Sequence, residues 1–238
     1  MSFAARTAIT AGAAIAAATA GAWAVRGRAS SVFAPSVWRG EASRKTVALT
    51  FDDGPSGSTP RLLDLLATYA VPATFFQIGA NALSHPGITK ATAEAGHEVG
   101  NHSHTHPNFA LTAPAFALAE FAEAQQAIVE TTGLTPVWLR APYGVRWFGF
   151  RQAQHDLGLT GVMWSVIGRD WVLPAAAVAD RVLKQTTPGG IICLHDGRGT
   201  LKNPDVGTTL EAVRRIVPEL LEQGYRFETL SELLCPKN

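Results

Sequence analysis

The chain has 238 residues, enough for one domain with a sizeable core, since α/β barrels of about 200 to 250 residues commonly form a single unit. Its 20 Lys and Arg against 19 Asp and Glu leave a formal charge of +1, which provides no broad positive field to draw in nucleic acid. The only two cysteines, Cys193 and Cys235, exclude a disulfide framework, and Cys193 inside the apolar run 191–194 reads as a buried free thiol.

In chain order, residues 8–25 carry no charge, follow Arg6 and run into Ala22-Trp23-Ala24, a small-x-small pattern of the kind a signal peptidase cuts. Arg26 and Arg28 lie just beyond, where positive charge opposes translocation of the downstream chain. Residues 1–28 therefore read as a signal peptide or a retained membrane anchor, with a poorly structured Ala-rich leader as the plainer alternative. Either of the first two implies export to the cell envelope, as a secreted, periplasmic or membrane-attached protein. Residues 29–43 carry Arg, Ser, Pro and Gly without periodicity and read as a linker, so the catalytic domain is expected over 44–238.

From there, short β-prone runs alternate with longer helical patterns. Strands are expected at 46–51, 73–78, 98–101, 137–140, 161–165, 190–195 and 226–229, and helices at 59–70, 86–95, 113–131, 148–157, 174–185 and 208–223. Pro60, Pro86, Pro114 and Pro174 fall at first helical turns, where a missing N–H costs little. Such alternation predicts an α/β fold: a single-domain distorted (β/α) barrel of about seven parallel strands with outer helices. Five of the strands end in polar groups, namely Asp52-Asp53, His102, Arg140, Ser165 and His195-Asp196. In such barrels the carboxyl ends of the strands build the active site, so these groups are expected to converge on one rim.

Three of these residues have the chemistry of metal ligands. A catalytic zinc site takes about three protein ligands and keeps one position open, and Asp53, His102 and His106 meet that count. A tight turn over 102–106 would bring His102 and His106 to one side, whereas an extended segment would align His102, His104 and His106. Pro107 and Gly100 favour the turn. Asp52, beside Asp53, is a second carboxylate that needs a positive partner at close range.

Thr50-Phe51-Asp52-Asp53-Gly54, His102-Ser103-x-x-His106, Arg140-x-Pro142-Tyr143, Asp170-Trp171 and Leu194-x-Asp196 enclosing His195 resemble, in this order, the five motifs of the polysaccharide deacetylases of carbohydrate esterase family 4. The resemblance spans about 44–234 and implies metal-dependent removal of N-acetyl groups from N-acetylglucosamine-containing polymers such as peptidoglycan or chitin. By position it implies Asp53, His102 and His106 as ligands of a divalent metal, zinc first and cobalt second, with Asp52 as general base and His195 as general acid. Arg140 would then position Asp52, and Asp170 would tune His195. Tyr143 would offer a backbone N–H to the oxyanion, while Trp171 and Leu194 would wall the pocket for the acetyl methyl. One departure is Ile167, where many relatives carry an additional Asp. The run 144–150 offers aromatic rings and Arg146 either to a sugar chain or to the core. Two other functions fit the same scaffold: a catalytically silent glycan-binding protein, and an esterase or cyclic amidase of a related barrel.

Overall fold

The computed structural model describes residues 16–235. The first part of the expected leader, residues 1–15, lies outside the described residues. Eight strands form one sheet: β1 (Thr46–Gly54), β2 (Thr74–Gln77), β3 (Glu98–Asn101), β4 (Trp138–Leu139), β5 (Thr160–Gly161), β6 (Val166–Ile167), β7 (Gly190–His195) and β8 (Arg226–Phe227). Their order is β5-β4-β3-β2-β1-β7-β6, with β8 against the start of β1, and every pairing between these strands is parallel. The curled sheet with helices on its outer side is the expected distorted (β/α) barrel.

The two-residue alternation of strand side chains explains how it holds together. On β1, Val47, Leu49 and Phe51 point outward into a core shared with Leu62 and Leu66 of the helix Thr59–Thr68, and with Val213, Ile216 and Val217 of the helix Gly207–Glu222. Burying each such large apolar side chain contributes about 1.5 to 3 kcal/mol. The alternate residue Ala48 points into the barrel with Phe76, Trp138, Val162 and Ile191, where Leu230 and Leu233 of the helix Leu230–Leu234 close the amino-terminal end. Continuing that inward series along β1 and β7 leads to Thr50 and Asp52, and to Cys193 and His195, towards the opposite rim. The long helix Pro114–Thr132 starts on Pro114 and stops at Gly133, whose φ of 72° is the left-handed conformation that glycine adopts without a Cβ penalty.

The strand expected at 161–165 does not form: β5 ends at Gly161 and β6 begins at Val166, at opposite ends of the sheet, and residues 162–165 run between them. The chain has to cross the opening of the barrel here, so it cannot remain in one ladder. Residues 37–39 occupy the gap: Val37 bridges Val162 and Arg39 bridges Gly190 at the start of β7.

This stretch falls in the expected linker, and it is bound closely to the barrel. Ala34 is buried beside Phe109, Phe121 and Phe150, and Phe33 stacks on Trp147 at 4.8 Å between ring centroids. Arg146 is buried and spends its guanidinium on the carbonyls of Gly27 and Ser30 and the hydroxyl of Ser36. Of the two roles open to Arg146, the structure gives it the internal one. Residues 16–26 are helical, and among the described residues no helix is long and apolar enough to cross a membrane.

Candidate active site

A cavity of about 660 Å³ opens at the carboxyl rim of the sheet, and its lining includes Asp52, Asp53, His102, His106, Tyr143, Trp171 and His195. Asp53 lies near the end of β1, where the register shifts, with φ of 74°, a left-handed conformation that Asp tolerates better than bulkier residues. The Gly199 N–H donates to its Oδ2 at 2.9 Å, and Asn81 Nδ2 donates to its carbonyl at 2.9 Å. Its Oδ1 is thereby aimed at two imidazoles, 3.3 Å from His102 Nε2 and 3.0 Å from His106 Nε2.

Between those two histidines the chain makes a tight turn with φ of 66° at Ser103 and 60° at His106. The Ser103 N–H donates to Asn101 Oδ1, and the His106 N–H donates to Ser103 Oγ. Glu120, from the long helix, accepts the N–H groups of His104 and Thr105 and the Thr105 hydroxyl. These bonds offset the roughly 1 to 3 kcal/mol that each unusual backbone conformation costs. The turn directs His104 away, with its Nε2 3.9 Å from Glu123. His102 Nδ1 lies 2.8 Å from the Arg140 carbonyl, which can only accept, so this nitrogen carries the proton and Nε2 is left to the site.

One carboxylate and two imidazoles, all with ligand atoms within 4.8 Å and open to a cavity on one side, fit a divalent ion of the zinc type. The orienting bond on His102 is the usual support for such a ligand. Burial opposes ionisation of Asp53, but the hydrogen bonds and charge of His102 and His106 outweigh it and hold its carboxyl well below the usual range.

Around this trio stand two supported pairs. Arg140 is wholly buried; its Nη1 donates to Asp52 Oδ1 and to Thr50 Oγ1, each at 2.7 Å, and its guanidinium lies 4.1 Å from the centroid of the Phe76 ring. The other oxygen of Asp52 accepts from Cys193 Sγ at 3.4 Å. His195 Nδ1 is 2.8 Å from Asp170 Oδ1, while Asp170 Oδ2 accepts the His195 N–H and the Thr209 hydroxyl. Burial pulls the His195 pKa down, yet the bond to Asp170 and the charges of Asp170, Asp53 and Asp52 prevail and raise it to about 9. Trp171 meets the His195 ring edge-on at 5.0 Å, and Tyr143 meets His106 at 4.7 Å.

Nine of the ten residues expected at the site lie in or directly beside it: eight line the cavity or hold its floor, and Asp170 holds His195 from behind. Leu194 does not join them. It sits between the inward residues Cys193 and His195, so strand alternation turns it outward into the helix-facing core with Leu62 and Val178. The wall expected of it is supplied by Met163, Trp164 and Ile167, and Cys193 takes the inward place. Period-two alternation back from His195 is the signal that finds Cys193. Ser165, expected at the rim, instead exchanges hydrogen bonds with the Ile191 backbone. Arg26, Arg198, Gly199 and the supporting Glu120 carry no recognisable sequence signal.

Asp196, next to His195, is fully buried with its Oδ2 accepting the Thr59 hydroxyl at 2.6 Å, and its carbonyl accepts the Ser56 hydroxyl. It thus braces the loop after β1 from beneath. Burial, partly offset by the Thr59 bond and reinforced by the charge of Asp53, raises its pKa to about 7.

Fold and site together define a half-barrel protein with a divalent-metal centre at its carboxyl rim. A family model described as polysaccharide deacetylase matches residues 39–162. The chain is 39% identical over 195 residues to a chitooligosaccharide deacetylase of Sinorhizobium fredii, covering 79% of this chain and 91% of that one. It is 36% identical over 210 residues to the peptidoglycan-N-acetylglucosamine deacetylase PgdA of Listeria monocytogenes, covering 87% of this chain and 42% of that one. The crystal structure of the Bc1960 peptidoglycan N-acetylglucosamine deacetylase superposes with a TM-score of 0.78 at 31% identity, over 84% of this chain and 92% of that one. The chain belongs to the polysaccharide deacetylase family, carbohydrate esterase family 4. It spans about two fifths of the length of the Listeria relative.

Proposed function

We propose that the protein is a metal-dependent hydrolase that removes N-acetyl groups from N-acetylglucosamine-containing glycans of the peptidoglycan or chitin type. The observation that carries this reading is the placement of a braced carboxylate, Asp52, and a braced imidazolium, His195, beside one metal-ligand trio in one cavity.

Asp53, His102 and His106 hold the ion. When bound, a divalent cation supplies Lewis acidity, polarising a carbonyl and acidifying water. Asp52 accepts the proton of the attacking water as the new C–O bond forms; its Oδ1 is fixed by Arg140 and it therefore needs no reorientation. The developing oxyanion is met by the backbone N–H of Tyr143, and one such donor is worth about 3 kcal/mol. The C–N bond breaks only if the amine nitrogen is protonated, and His195, cationic at neutral pH through Asp170, donates that proton. Acetate and the free amino sugar leave, and the proton on Asp52 returns to His195 or to solvent. Met163, Trp164, Ile167 and Trp171 bound the space for the acetyl methyl. A silent glycan binder on this scaffold has no physical need for the base and the acid together.

The apolar, uncharged run at 8–25 and the peptidoglycan named for the Listeria relative support export to the cell envelope, with residues 1–28 as anchor or as a leader cut after Ala24, either of which leaves Arg26 on the mature chain, and 44–238 as the catalytic domain. The test of function is acetate release from N-acetylglucosamine oligomers, glycan-strand fragments and acetylated xylan. Release from the first two and not from xylan is expected; release from none, or from xylan alone, rejects the reading.

A further inference from the structure

Resting on the proposed deacetylase activity, we propose that Arg26 is a specificity-determining residue. From the segment ahead of the family match it meets a carboxylate on the sugar beside the N-acetylglucosamine under attack, and so selects peptidoglycan-type strands freed of stem peptide, whose 3-O-lactyl group ends in a free carboxylate, over neutral, chitin-type ones.

Arg26 lies at the end of the helical stretch 16–26, before the matched residues 39–162, and yet it lines the catalytic cavity. Its Nε donates to the Tyr143 carbonyl at 3.3 Å, and the Tyr143 ring packs on the ligand His106 at 4.7 Å. The guanidinium therefore stands on the rim of the cavity, linked to the trio through the Tyr143 backbone and ring.

Three features fit it to an external anion. Among the described residues no carboxylate pairs with Arg26, so the charge is not spent inside the protein. The other rim arginine, Arg198, is committed: it donates to the Gly197 and Asp170 carbonyls and lies 3.8 Å from Asp170 Oδ2. The acidic groups on the floor are also engaged, Asp52 with Arg140 and Asp53 with the two histidines. What remains towards solvent is a single planar fork of N–H donors, the geometry that suits a carboxylate.

The residue is also held in place. The Val25 carbonyl accepts the Arg146 N–H, the Gly27 carbonyl accepts the buried Arg146 guanidinium, and Arg28 donates to the Ser165 carbonyl at 2.9 Å while lying over the Trp38 ring. Its neighbours on both sides are thus tied to the barrel, and presenting Arg26 to a ligand costs little backbone order.

The plainer role is a clamp on Tyr143, and kinetics separate the two. With the full chain, loaded with zinc, acetate release is measured on three oligomers: neutral N-acetylglucosamine, the alternating oligomer in which every second sugar carries a 3-O-lactyl carboxylate, and the same oligomer with that carboxylate amidated. Wild type is expected to favour the carboxylate form, with the amidated form behaving like the neutral one. Arg26→Ala should lower the acidic-to-neutral ratio of kcat/KM about fivefold, through KM, and Arg26→Lys should recover part of it. An unmoved ratio, or an equal fall in kcat on all three, overturns the proposal while leaving the deacetylase reading intact. No acetate from any oligomer with wild type removes both.

Discussion

Asp52 and His195 are register partners on the adjacent parallel strands β1 and β7. The two proton carriers proposed for the reaction are therefore fixed by the same ladder, directly across from one another in the sheet, and each is braced from behind by a different buried group. Arg140 holds the first and Asp170 the second. Their separation is set by backbone hydrogen bonds rather than by loop conformation, which suits a site that has to deliver a proton on one side of an amide and accept one on the other.

The ligand trio predicts a division between metal content and turnover. His106→Ala should bind less than about a tenth of the zinc held by wild type, because two ligands seldom retain an ion that three hold. Elemental analysis of the dialysed protein checks this, and full occupancy in His106→Ala would remove that residue from the ligand set. Chelation of wild type should abolish acetate release, with recovery on adding zinc or cobalt.

Asp52→Asn keeps the shape of the side chain and removes its basicity. It should hold zinc as wild type does and lose about 10² to 10⁴ in kcat. Normal turnover with normal metal content would show that Asp52 is not the base.

Among the described residues Arg140 is the largest wholly buried side chain, and replacing it strands a charge. Arg140→Met should cost about 3 to 5 kcal/mol of folding stability by leaving the Asp52 carboxylate unpaired in the barrel. In Arg140→Met with Asp52→Asn much of that loss should return, because no buried charge is then left over. Denaturant titration of the four proteins in this cycle measures it, and equal stability of the Arg140→Met and double variants would contradict the pairing.

The His195–Asp170 bond sets a pH limit. Since the folded pKa lies above the ordinary 6.5, the stability it contributes is full below pH 6.5 and is lost as pH rises towards about 9. Activity that needs the protonated ring should fall over the same window. In the loaded enzyme the fall comes somewhat below 9, because a cation beside Asp53 cancels that carboxylate's share. Asp170→Asn should move the basic limb of the kcat profile downward by about one unit or more, and an unmoved limb would detach it from this pair.

The thiols should differ sharply. Burial first, and then the charge of Asp52, push the Cys193 thiol well above its ordinary pKa, whereas Cys235 is exposed. Titration of the folded protein with an aromatic disulfide reagent should modify one thiol promptly and the second only on unfolding. Two fast thiols would mean that the cavity floor opens.

Much of this architecture is legible in the sequence because strand and helix periods are strong signals. The β1, β3 and β7 runs and the outer helices lie close to their expected bounds, and the trio follows from residue types that few other chemistries require. The features that escape a linear reading depend on closure in three dimensions. The break over 162–165 between β5 and β6 arises from the need to cross the mouth of the barrel, which a linear pattern does not record. Leu194 reads as pocket wall only through the position that the family resemblance gives it, although alternation turns it to the face opposite His195. Glu120 reaches the histidine turn from a helix face with no local mark, and the ties between Arg146 and residues 27–36 join segments more than a hundred positions apart.

Val37 and Arg39 close the mouth of the sheet, and the two terminal nitrogens of Arg146 donate to oxygens of residues just ahead of them. Trimming the polypeptide to begin at residue 39, where the family match begins, would strip the Arg146 guanidinium of its acceptors and remove the Val37–Val162 bridge at the same time. Such a fragment would be expected to clump through its bared strand edge, so the upstream stretch is as much a part of the barrel's body as its helices are.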